Sequence, residues 1–391
     1  MKKGILKISM LCMFFCASLT LSAEESNIVK FVKGNITDKI SAVKNSSGKE
    51  ASVLSSEAVD FILQNIDKTG SEDRDMNTLA VTGILALSAA DAQKDIHACN
   101  AMLQKLYKLF SIFSDTTIRI SIIDKIVQYY EAVPSAESVQ ILSSFLNTSM
   151  KEKQVSDVQK TAINALGKIG DGESFVVLYE CLQSNIYSDF SAEIKESLAS
   201  IADKSLTEIL QIINNSDVSK ITEIFTIIKG SDKISPSFKA EIVENVLSEA
   251  LYITEKTNTQ SVDLLEFDAF SLIIQNNWTR ASALIIKYFE QSKKNYQSGA
   301  VTEQNFIDII NGVSLIATAE ASETLSKYLA ELNSQVEKGK LPSEPLILSL
   351  IKTLGDLGSK TAFDPLLYVT YLDYPENIIA EARKALTKLK W

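Results

Sequence analysis

The 391-residue sequence predicts an all-α fold of roughly eight two-helix repeats behind a cleavable export signal. Three observations predict it. Apolar residues recur at helical spacing over most of the chain, and no stretch reads as a convincing strand. A unit of about forty residues at the C-terminal end returns upstream with the same turn grammar. A chain this long would need an unusually large single core, which stacking avoids because each repeat buries its apolar faces only against its neighbours.

In chain order, Met1-Lys-Lys-Gly-Ile-Leu-Lys is a basic leader, residues 8–21 are an apolar run, and Leu21-Ser22-Ala23 before Glu24 resembles a signal-peptidase site. Residues 1–23 are therefore expected to be a signal peptide, placing the protein in the periplasm or outside the cell. The run is shorter than the about 20 residues that span a bilayer, so no transmembrane anchor is expected after cleavage. A lipoprotein is the alternative, through Cys12 or Cys16, although Ser9-Met-Leu and Met13-Phe-Phe lack the small residue a lipid-transfer site shows.

Residues 24–50 are expected to form a leader helix on Ile28, Val32, Ile36, Ile40 and Val43, or else a flexible tether; Asn45-Ser-Ser-Gly-Lys reads as a hinge. The repeats are expected over 51–391. Thr69-Gly-Ser-Glu-Asp-Arg-Asp-Met-Asn is a polar loop between helical patterns. Repeat turns fall near Ala90, Pro134, Ala202, Gly230, Asn276 and Ala317, roughly 30 to 46 residues apart. Leu284, Leu325 and Leu366 look equivalent, each forty-one residues after the last.

The C-terminal unit is the clearest. Ile347, Leu350, Ile351 and Leu354 make one apolar stripe, and Gly355 and Gly358 end it, since glycine takes the left-handed conformation without penalty. Asp364 is expected to N-cap a second helix with Pro365 at its first position, and Leu366, Leu367, Val369, Thr370 and Leu372 as its buried side. Pro375 breaks it, and Ile378, Ile379, Ala382, Ala385, Leu386 and Leu389 draw a final, capping helix. Upstream, Ala162-Ile-Asn-Ala-Leu-Gly-Lys-Ile-Gly-Asp followed by Phe175, Val176, Val177, Leu178 and Leu182 repeats the pattern.

With its Ala-x-x-Ala-Leu-Gly-x-Ile/Leu-Gly grammar at 158–182 and 347–389, the chain resembles HEAT repeats, including the short variety of bilin-lyase-like proteins. The resemblance implies a right-handed α-solenoid whose second helices line a concave side where partners are held. It implies no common activity, because function belongs to sites and not to folds.

Composition narrows the chemistry. Removing the signal takes Lys2, Lys3 and Lys7 and moves the net charge from −10 to −13, which disfavours phosphate backbones; no nucleic-acid partner is expected, and HEAT-like DNA glycosylases are a poor analogy. Of the mature cysteines, Cys99 and Cys181, each falls on a second helix with a repeat between them, too far apart to bridge, so both are expected to be buried thiols. His97 is the only histidine, which rules out a zinc site with several His ligands; it stands two residues from Cys99, and positions i and i+2 of a helix do not face each other. Glu72, Asp73 and Asp75 lack calcium-loop spacing, and Gly-Lys-Ile-Gly-Asp-Gly at 167–172 ends a helix without cradling phosphate. No cofactor, metal or catalytic constellation is expected.

Two features remain as candidate partner-binding sites. Long connections at 254–263, 291–302 and 333–345 fall on one edge and carry Lys256, Lys293, Lys294, Lys338 and Lys340, either as a working face or as solubilising loops. Later second helices carry Tyr288, Phe289, Tyr328, Tyr368 and Tyr371; Tyr368 and Tyr371 share a face that suits either binding or inter-repeat packing. The expected function is an exported, non-enzymatic scaffold for a protein or peptide. The alternative is an enzyme or cofactor-assembly factor of the bilin-lyase-like type.

Overall fold

The computed structural model describes residues 26–89, 95–257 and 259–390. The signal peptide and the turn at Ala90 lie outside them. Among the described residues the protein is all-α, with 20 α-helices, short 3₁₀ turns and no strand. The chain divides into two compact units, one through Ile169 and one from Gly170. The division falls in the turn of the 158–182 repeat.

The first unit holds α1 (Asn27–Lys33), α2 (Ile36–Asn45), α3 (Gly48–Thr69), α4 (Arg74–Ala86), α5 (Ile96–Ile112), α6 (Thr116–Ala132), α7 (Ala136–Glu152) and α8 (Asp157–Ile169). The leader stretch is two helices, not one: the chain breaks at Gly34, and Asn35 opens α2 with a capping box to Asp38. Phe31, Ile40 and Val43 are buried there, while Val32 is exposed. Acidic caps start α4, α5 and α6, because a carboxylate satisfies free N–H groups and suits the positive end of the helix dipole. Asp73, Asp95 and Asp115 accept from Met76, Ala98 and Ile118. The polar loop before α4 is thus a cap. Helices α2, α4, α6 and α8 pack in succession, and α3, α5 and α7 alternate with them.

The second unit holds α9 (Gly172–Gln183), α10 (Ser191–Ile201), α11 (Leu206–Asn214), α12 (Val218–Gly230), α13 (Pro236–Lys256), α14 (Gln260–Gln275), α15 (Ser282–Ser298), α16 (Glu303–Ile316), α17 (Thr318–Glu337), α18 (Glu344–Leu357), α19 (Phe363–Val369) and α20 (Glu376–Lys388). Each helix packs on the next but one, and most also pack on the next. The even-numbered helices form one row and the odd-numbered the other. Cross-links join residues one repeat apart: Tyr179 to the Lys220 carbonyl at 3.5 Å, Lys229 to Asp268 at 3.2 Å, and the Tyr374 hydroxyl to Asn333 at 3.1 Å.

The C-terminal unit agrees with its sequence in the first helix and differs in the second. Ile347, Leu350, Ile351 and Leu354 are buried in α18, which ends at Gly358 with φ +67°. Asp364 and Pro365 lie inside the first turn of α19 and do not cap it, because a 3₁₀ turn over Lys360–Ala362, capped by Ser359, runs straight into the helix. Pro375 is the N-cap of α20, after a turn. The equivalence of Leu284 is off by one residue: Ile285, Leu325 and Leu366 are the fully buried set, while Leu284 is half-buried.

Helices α14 and α16 approach closely at Gly312, where an added Cβ would lie 2.4 Å from the Phe270 ring. Gly312→Ala is therefore expected to destabilise the protein by about 1–3 kcal/mol in denaturant unfolding, as overpacked cores do. Gly230→Ala, with nothing within 4 Å of its Cβ at the end of α12, is expected to be neutral or slightly stabilising in the same measurement.

Candidate functional site

The candidate lysines sit toward the C-terminal ends of successive odd-row helices, but the long connections that were expected to carry them are mostly helix. The 254–263 stretch is the end of α13 and the start of α14; 291–302 is largely α15; only Lys338–Ser343 is open between α17 and α18. Apolar spacing alone fails there because the buried face of these helix ends is held by polar residues, Thr254, Ser292, Asn295 and Asn333. Lys256 is the last residue of α13 and lies over the Tyr252 ring at 3.7 Å. Lys338 is the C-cap of α17, and Lys340 is exposed beyond it. Lysines in these places complement the partial negative charge of helix C-termini.

Lys293 is different in kind. It is half-buried in α15, paired with Glu290 at 3.0 Å and Glu331 at 3.2 Å. Burial works against its charge, but the two carboxylates outweigh that and hold the ammonium above its ordinary range. Its charge is already matched within the fold. Lys294, next in the helix, is exposed.

The tyrosines separate cleanly. Tyr288 and Tyr328 are each 2% exposed and pack with Phe270, Phe289 and Phe306 at ring separations of 5.1–5.9 Å. Tyr368 and Tyr371 are 43% and 75% exposed. Tyr288, Tyr328 and Tyr368 are forty residues apart, yet the core alanines step from Ala281 to Ala321 to Ala362. The last step is one residue longer. One residue turns a helix by about 100°, so Val369 takes the place of Tyr328 in the core and Tyr368 turns outward. Together with Tyr371, Asn333, Ser334 and Asp364 it lines a groove of about 480 Å³ between α17 and α19. The Tyr368 hydroxyl donates to Glu337, which raises its pKa. Glu337 directly precedes Lys338, so the structure brings Tyr368, Tyr371 and Lys338 near one helix end.

A polar cluster between α13, α14 and α15 was not singled out from the sequence. Glu266 is 1% exposed and accepts from the Thr254 hydroxyl; Asp263, one turn earlier, accepts from Asn295 at 3.0 Å. Neither is ion-paired among the described residues. Burial pushes the Glu266 carboxyl up to about 7 and the Asp263 carboxyl above its ordinary value, against the lowering effect of those hydrogen bonds. Buried Tyr288 stands beside both, its hydroxyl also raised by burial. The signal was present: Glu266 falls in the stripe Val262, Glu266, Ala269, Ile273, where helical period demands an apolar residue.

Cys99 and Cys181 are free and fully buried. Cys99 reaches the Tyr129 carbonyl at 3.9 Å; burial raises its pKa and pushes that of Cys181 up to about 12. His97 is exposed on α5 while Cys99 faces inward, so the two do not meet.

No family model and no curated protein matches the chain. Among solved structures, it is similar to an engineered protein at 16% identity, over 90% of this chain and 98% of that one, with a TM-score of 0.36. A computationally designed self-assembling cyclic homooligomer is similar at 13% identity, over 77% and 92%, with a TM-score of 0.13. Likenesses this distant say nothing further about the chain.

Two outcomes test these environments. Thiol reagents are expected to label neither Cys99 nor Cys181 in the folded protein and both after unfolding, because a buried protonated thiol is not a nucleophile. The unfolded chain releases the Glu266 proton near 4.5 and the folded chain near 7, so the folded state holds more protons between them and stability falls as pH rises through that window. Glu266→Gln removes the effect. Relative to wild type it is expected to gain stability on the order of 2–3 kcal/mol above pH 7 and little at pH 4, in denaturant melts.

Proposed function

We propose that the protein is an exported helical-repeat scaffold of the HEAT type, a right-handed α-solenoid that holds a protein or peptide and carries out no reaction of its own. One observation supports this most: Tyr368 and Tyr371 stand exposed in a groove, although Tyr328, a repeat earlier than Tyr368, is a core residue. Exposed tyrosine beside a groove supplies contact area with little side-chain entropy to lose, which is the usual anchor of a protein interface. Lys338 and Lys340 at the same helix end, with Glu337 and Asp364, give it a polar rim of both signs, where charge steers encounter more than it adds affinity. The internal pairing of Lys293 leaves Lys294 and Lys256 as the other accessible basic groups along the edge.

Export rests on the sequence of residues 1–23. N-terminal sequencing of the cell-derived protein is expected to begin at Glu24; a chain retaining Met1 would sink the export reading. A photo-crosslinking residue at Tyr371 is expected to give one discrete adduct in the native compartment. Tyr368→Ala is expected to weaken that adduct roughly 10- to 100-fold, as loss of an aromatic anchor does. Absence of any adduct, or one indifferent to Tyr368, would remove the groove from the scaffold.

A further inference from the structure

The strongest feature outside the tyrosine groove is an open pocket of about 490 Å³ in the second unit, lined by α14, Tyr288 of α15, the turn at 300–302 and α16. Its walls are apolar at Leu264, Phe267, Val301 and Ile309 and aromatic at Tyr288. Asp263 is the only charged residue among those lining it. Its size is that of a small-molecule or side-chain pocket, where apolar walls give affinity and a few fixed polar groups give orientation.

The electrostatics of the pocket are unbalanced. Asp263 is held in place by Asn295, itself 4% exposed and braced by Gln291 at 3.0 Å. Behind it Glu266 is fully buried, bonded only to a neutral hydroxyl. Asp263 is half-buried in the first turn of α14, and a carboxylate with restricted access to water beside an apolar wall favours a cation as its partner. Thr254, Tyr288 and Asn295 stand around the pair, and among the described residues neither carboxylate has an ion-pair partner. Lys256, near the mouth in sequence, lies over Tyr252 and does not line the pocket.

The geometry points to a binding site for an organic ammonium group on an apolar stem, its charge set against Asp263 and its stem against Leu264, Phe267 and Ile309. A free alkylamine and a lysine side chain of a bound peptide share that chemistry. The site is independent of the tyrosine groove, which lies three helices further along the chain.

The test uses the full mature chain and the titration of hexylammonium, hexanol and hexanoate, followed by methyl NMR shifts of Leu264 and Ile309. Hexylammonium is expected to bind at least tenfold more tightly than hexanol, with hexanoate weakest, and Asp263→Asn, which keeps the Asn295 bond, is expected to abolish the preference. A short neutral peptide carrying one lysine, against the same peptide with norleucine, is the second arm. A response to hexylammonium assigns a free amine. A response to the lysine peptide alone assigns a partner's side chain, and either supports the site. Equal binding of hexylammonium and hexanol with no lysine preference, or a preference that survives Asp263→Asn, would overturn it. The wild-type comparison stands by itself if the variant proves unstable.

Discussion

Everything in the second unit depends on one packing constraint: each helix must present apolar surface to the next but one, and most must do so to the next helix as well. That requirement turns a broad face of every helix inward, and it is why Ala281, Ala321 and Ala362 recur with Ile285, Leu325 and Leu366 at one repeat's distance. Small and branched residues alternate so that the rows seat closely, as at Gly312 against Phe270. Once this stack is in place, polar side chains one repeat apart meet without further provision, which places Lys293 on Glu331 and Lys229 on Asp268.

The fold class was legible because helical period and turn residues are local properties. Gly358, Asn276 and Ala317 end helices where the sequence suggested. What was not legible was the register between repeats. Leu284 looks equivalent to Leu325 by apolar character, and only the packed structure shows that Ile285 fills the place. The same one-residue ambiguity hid the distinction between Tyr328 and Tyr368. Polar helix ends such as 291–298 were read as loops because their buried positions are held by Ser292 and Asn295, which break the apolar period.

Of the candidate site, residue types were legible and environments were not. Lys293 and Lys294 are adjacent and identical in sequence, yet one is neutralised inside the stack and the other faces water. Asp263 and Glu266 differ in a similar way: Glu266 falls in an apolar stripe, but its full burial and the half-burial of Asp263 give them properties that composition cannot announce. A net charge of −10 says nothing about which carboxylates are deprived of water. Long-range packing decides that, through residues such as Thr254 and Asn295 that only the fold brings close.

The ladder of neighbour-only contacts also has a mechanical side. A unit whose helices pack mainly on near neighbours in the chain would behave as springs joined in series: a load is shared across all interfaces, each yields a little, and compliance grows with the number of pairs. The one-repeat hydrogen bonds, such as Tyr374 to Asn333, act as stiffeners between adjacent turns of such a spring. Extension and recoil would therefore require no helix to melt.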